Sequence, residues 1–222
     1  MKRGDCVWLL AFSILSAGLL VPSTHQVFIS LTQEHPYVMG FLKFAILATM
    51  GELLVIRLLS GQWKKTAGMF PKAIVWGIVG LMVVLMFEIY LNGVAGAVRK
   101  QLLYVGDGAV TPVLTAFFIS GIMNLTFGPV FMAAHRMTDL YIDRKSEGVS
   151  ADWTAIVENI DWQGFVKFVV AKTVPFFWIP AHTIVFLLPP EYRVLVAAYL
   201  SIALGAILAY ARRRKSEASL AE

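Results

Sequence analysis

Glu52, Glu88, Lys172 and His182 each lie within a long apolar run, and that placement makes them the first candidates for chemistry. A carboxylate at membrane depth must face water, pair with a cation or take up a proton, so ionisable groups there point to pathways or polar clusters. Glu52 has two readings: a group lining a pathway, or a structural partner for a cation such as Lys172. Glu88 has a blander reading as a residue near the outer surface, and Lys172 as a side chain snorkelling toward the cytoplasmic one. His182 divides evenly between pathway and structure. Soluble catalytic motifs are absent: there is no phosphate-cradling Gly-Lys-Ser, no Gly-x-Ser-x-Gly elbow and no pair of histidines at ligand spacing. His25, His35, His135 and His182 are scattered, and Cys6 is the sole cysteine, which excludes an intrachain disulfide. The sequence therefore predicts no enzyme, no cofactor and no metal.

The elements that must position these residues are membrane spans. Of 222 residues 58% are hydrophobic and 15% charged, whereas soluble domains carry about 25% charged residues. Such a chain needs lipid as its solvent, and a helix of about 20 apolar residues crosses the hydrocarbon with its backbone satisfied. Six stretches qualify in the expectation of an all-α bundle forming one multi-pass domain: Val7 to Val21, Tyr37 to Leu59, Ala73 to Val94, Val110 to Ala134, Phe165 to Leu188, and Val194 to Ala211. The first is short unless the helix continues past Pro22 toward Leu31. Lys2 and Arg3 ahead of it also resemble a signal peptide, but no clear cleavage site follows, so a retained helix is expected.

The net charge of +5 resides in short clusters between apolar runs, the pattern of membrane orientation and not of nucleic-acid binding. With six spans, one side collects Lys2, Arg3, Arg57, Lys64, Lys65, Lys72, Arg136, Arg144, Lys145, Arg212, Arg213, Arg214 and Lys215. The other collects Arg99, Lys100 and Arg193. Both termini are therefore expected on the cytoplasmic side. The stretch 136–163 reads as a cytoplasmic loop, in which Ser150-Ala-Asp152 caps an amphipathic surface helix presenting Trp153, Ile156, Val157 and Ile160.

Gly51, Gly77, Gly80, Gly93, Gly96, Gly121 and Gly128 lie in or beside spans, where missing side chains let helices approach. Pro129, Pro175 and Pro180 are expected to kink their helices, which makes span five the first choice for a mobile, pathway-lining element. Gly40 to Thr49 is echoed by Gly164 to Thr173, with Gly, Phe, Lys, Phe and Thr coinciding. In a six-span alternation these segments run in opposite directions, a weak sign of an inverted repeat.

Trp178-Ile-Pro180-Ala, then Phe186-Leu-Leu-Pro189-Pro190-Glu-Tyr192-Arg193-Val194 and Tyr199-Leu-Ser201, resemble the C-terminal signature of the Mpv-seventeen / peroxisomal membrane protein twenty-two family. Gly128-Pro129 leading to His135-Arg136 and Asp139 is similar to an upstream segment of that family, and Gly51-Glu52 stands where members often carry Gly-Asp. Val185 replaces the usual Asn before Phe, Leu204-Gly205 replace the usual Trp and Asn, and the Trp-Tyr pair after Gly-Pro is missing, as in a distant branch. The resemblance implies a small multi-pass protein of mitochondrial inner, peroxisomal or bacterial membranes, in a family whose better-studied members are thought to form pores for small solutes. Four spans are usual there, against six here. With no Arg- and Ser-rich leader, the bacterial plasma membrane is the expected location.

Two functions follow as expectations: a small-solute channel lined by Glu52, Glu88, Lys172 and His182, or a non-transporting scaffold that docks partners on 136–163. Expected partners are membrane lipid, a small solute and further copies of the chain, since six helices leave little room for a private pore. Arg193 is expected to anchor on Glu191, lipid phosphate or a helix end.

Overall fold

The computed structural model describes residues 2–64 and 67–219, with side chains through Arg213; Lys65 and the side chains of Arg214 and Lys215, counted above for orientation, lie outside the described residues. The described chain is an all-α bundle with no strand: α1 (Arg3–Gly18), α2 (Pro22–Glu34), α3 (Pro36–Ser60), α4 (Met69–Arg99), α5 (Thr111–Ser146), the short α6 (Trp153–Glu158), one turn α7 (Trp162–Gly164), a π-wound stretch (Phe165–Trp178), α8 (Ile179–Leu187) and α9 (Pro190–Ser219). Among the described residues five helical segments are long and apolar enough to cross a membrane, and α1 with α2, bent by 80° at their break, passes the same test only as a pair.

The bent pair follows from sequence. Pro22 has no N–H to continue α1 and instead starts α2 at its first turn, where that donor is not needed. The expected continuation past Pro22 thus occurs as a broken span and not a straight one. It still runs from one end of the bundle to the other: Lys2 Nζ donates to the Gly61 carbonyl at 2.6 Å, just past α3, while Gln33 Nε2 donates to Glu191 Oε1 at 2.9 Å, at the head of α9. Near the first of these ends Asp5 accepts from Arg57 Nε at 2.7 Å and from Trp63 Nε1 at 2.8 Å, tying α1 to the last turn of α3 and to the segment just after it.

α3 is the central element, packed against α4 and α9. Gly40 and Gly80 bring the α3 and α4 backbones into contact, because a Cβ on Gly80 would collide with the Gly40 carbonyl. Gly51 serves the same purpose toward α9, where a Cβ would stand 3.3 Å from Ile202 Cα. At Gly93 and Gly121, by contrast, a Cβ would meet open space.

Two expectations are corrected. The loop expected from Arg136 begins later, because α5 continues unbroken to Ser146; Lys145 and Arg144 lie in its last turn, where cations suit the exposed carbonyls. The amphipathic helix forms with Asp152 as its cap, but Ile156 and Ile160 are buried while Trp153 and Val157 are exposed, so only half of the predicted face turns inward. Span five is one helical segment from Trp162 to Leu187, and its prolines stand at two distinct places in it. Pro175 is absorbed into the π-wound stretch and Pro180 lies in the first turn of α8. The echoed segments also differ locally, since Lys43 is buried and donates to Thr32 Oγ1 at 3.0 Å whereas Lys167 is exposed.

Candidate functional site

Glu52 lies on α3 and accepts a hydrogen bond from Trp76 Nε1 of α4 at 2.7 Å. The indole ring stands edge-on to the imidazole of His135, with centroids 4.1 Å apart. His135 and Asp139 are one turn apart on α5 and face each other, Nε2 to Oδ2, at 3.6 Å. Donor atoms of Glu52, His135 and Asp139 all lie within 4.8 Å of one another. Lys72 closes the cluster on the α4 side and is held by Asp143 of α5 at 2.7 Å. The cluster therefore depends on three helices, with His135 and Asp139 supplied by the extension of α5 beside and past the expected end of span four.

This cluster stands between two cavities. One, of about 610 Å³, opens toward the basic end and is lined by Glu52, Lys72, Trp76, Asp139, Asp143 and Ser201. The other, central and about 290 Å³, shares Trp76, Asp139 and Ser201 with it and is otherwise largely aromatic. Gly128, Trp178 and His182 also line the central cavity. There His182 stacks on Trp178 at 5.1 Å, and its Nδ1 lies 3.1 Å from the side-chain amide nitrogen of Asn124. Asn124 in turn donates to the Ser120 carbonyl at 2.8 Å. Phe87, which is edge-on to His182 at 5.8 Å, separates the central cavity from a third of about 190 Å³, lined by Lys43, Phe87, Glu88, Glu191 and Arg193.

Glu52 and His182 thus occupy neighbouring cavities, whereas Glu88 belongs to the opposite end and accepts from Asn92 Nδ2 at 2.6 Å. Lys172 is exposed and lines none of these cavities; the cation near Glu52 is Lys72. Arg193 takes the helix-end role, its Nε donating to the Leu188 carbonyl at 2.9 Å just after α8. Tyr192 bonds His25 of α2 through its hydroxyl, and Pro189 stands in the turn beside it. Pro129 lies inside α5, one residue after Gly128 of the cavity wall. Sequence reasoning missed Lys72, Trp76, His135 and Asp139 as partners of Glu52. The one available signal was the four-residue spacing of His135 and Asp139, which sets both on one helix face.

No protein-family model, curated protein or solved structure matches this chain.

Proposed function

We propose that this multi-pass membrane protein provides a pathway for a small solute within a single chain. The observation that carries the reading is the row of three cavities joined through shared walls, Phe87 on one side of the central chamber and Trp76 with Asp139 on the other. On α3 the row reaches from Pro36 to Ile56, about 30 Å at 1.5 Å per residue, which matches the hydrocarbon thickness of roughly 30 Å. Buried polar groups placed along such a row give a polar solute successive partners while lipid is excluded. Phe87 and Trp76 partition the row, so this conformation is closed and a conducting one requires both rings to move.

The resemblance to the Mpv-seventeen / peroxisomal membrane protein twenty-two family supports the same class by analogy. Gly128 and Trp178 of the resembling segments line the central cavity, and Arg193 the one beyond Phe87. The scaffold alternative is weakened where residues 136–146, assigned to its docking loop, form helix and contribute Asp139 and Asp143 to the cavity wall.

Purified protein in planar bilayers tests the pathway. Wild type is expected to conduct in brief events, the pair Trp76→Ala and Phe87→Ala together to raise open time or conductance, and Glu52→Gln to change ion selectivity. Silence from folded wild type and from the folded double variant, across lipids and voltages, would overturn the pathway in favour of a scaffold.

A further inference from the structure

We propose that Glu52, His135 and Asp139 form a binding site for one divalent transition-metal ion of the zinc class. The inference goes beyond the pathway reading and does not depend on conduction.

Three observations carry it. The first is donor geometry. Ligands about 2.0–2.2 Å from a zinc ion stand roughly 3–4 Å from one another, and here one atom from each of the three side chains lies within 4.8 Å of the others. The His135 to Asp139 separation, 3.6 Å, already falls in that range, so small side-chain rotations close the set around an ion. The second is unmet bonding. His135 Nδ1 and Asp139 Oδ1 are buried and have no hydrogen-bond partner among the described residues. A buried polar atom left unsatisfied is costly. A metal taken by both oxygens of Asp139 satisfies Oδ1, while one bound through His135 Nε2 leaves Nδ1 to be met by a partner outside the ligand set. The third is charge. Among the described residues Glu52, Asp139 and Asp143 set three carboxylates against the Lys72 ammonium and the Arg136 guanidinium on the central cavity, which, if all ionise, leaves an excess of negative charge for a cation to balance.

The donor set also selects among cations. Magnesium and calcium prefer six or more oxygen ligands, many from carbonyls or water, whereas an imidazole with two carboxylates suits zinc, iron(II) and related ions. Trp76 acts outside the ligand set: its N–H fixes Glu52 Oε1 at 2.7 Å and its ring edge confines the imidazole. It is a positioning residue for the metal. The ion would sit where the central and basic-end cavities meet, since Asp139 lines both.

The full chain, without an affinity tag and in nanodiscs of zwitterionic lipid, is equilibrated with Zn²⁺ and freed of excess, and bound metal is measured by plasma mass spectrometry. Co²⁺ uptake is followed in parallel by its visible absorption, which reports nitrogen ligation and coordination number. One ion per chain is expected. Glu52→Gln, His135→Ala and Asp139→Asn should each abolish stoichiometric uptake and Trp76→Phe should weaken binding by roughly 10-fold, while His35→Ala leaves it unchanged. Because a ligand variant can misfold, wild type supplies a second reading: Zn²⁺ should protect His135 from acylation by diethylpyrocarbonate, located by peptide mass spectrometry. Uptake well below one ion, equal uptake in all three ligand variants, or undiminished acylation of His135 would overturn the site and leave a shared proton as the balance of charge. Zn²⁺ binding in a chain that passes no ions through bilayers upholds the site and counts against the pathway, so the two proposals fail separately.

Discussion

Asp152 accepts from the Ala155 amide at 2.9 Å and from the Ser150 hydroxyl at 2.8 Å. Both bonds favour the carboxylate, led by the backbone one, and hold its pKa below the ordinary aspartate value of 3.8. The sign follows from linkage: a carboxyl with a depressed folded pKa contributes stability above its unfolded pKa and loses it as pH falls through the folded one. Amide exchange in 153–158, corrected for intrinsic rates, should therefore stay protected at neutral pH and rise as acidification passes below 3.8, with Asp152→Ala already fast at neutral pH. Protection unchanged in Asp152→Ala would show that Ile156 packing alone holds this helix. This cap was legible because its signal is local. Glu52 was legible too, since a carboxylate in an apolar run stands out against its neighbours. Its partners were not: Lys72 read as a charge at a span boundary, His135 as one of four scattered histidines and Asp139 as part of the solvated stretch from Arg136. Only the approach of α4 and α5 to α3 makes them one cluster.

At the scale of elements, sequence hydropathy located the spans because lipid imposes length and apolarity on each helix separately. It misplaced the end of α5, because helix continues past the hydrocarbon wherever backbone and surface charges permit, and hydropathy does not see that continuation. Nor does it see the π winding of span five, which carries Pro175. Helix contacts were partly legible through glycine, though only the structure separates glycines that are needed from those that are not. Gly80→Ala places a methyl against the Gly40 carbonyl and forces α3 and α4 apart, at a cost of about 1–3 kcal/mol. Gly93→Ala meets open space and should gain up to about 1 kcal/mol through reduced backbone freedom. Unfolding of both variants in mixed micelles by titrated denaturing detergent checks the opposite signs. Equal effects would mean that the α3–α4 contact is not as close as the Gly40 and Gly80 pair implies.

At the scale of the whole molecule, the bent α1–α2 pair decides how the chain is threaded. Lys2 beside Gly61 and Gln33 beside Glu191 set the two ends of this pair at opposite ends of the bundle, so the pair counts as a span although each half alone is too short. With the pair as a span, six crossings would bring α9 to an end on the side where α1 begins and would set the clusters at Lys2, Lys64 and Arg144 on one face, opposite Arg99 and Lys100. Site-directed labelling tests this directly, because Cys6 is the one cysteine to remove. In a Cys6→Ser background, Lys64→Cys and Lys100→Cys each place a thiol at an exposed position in or beside a turn. An impermeant maleimide should label Lys100→Cys in right-side-out vesicles and Lys64→Cys only in inside-out ones, as basic clusters stay on the cytoplasmic side. Labelling of both from one face would mean that α4 does not cross, and the row of cavities along α3 and α4 would then not lead from one side of the membrane to the other.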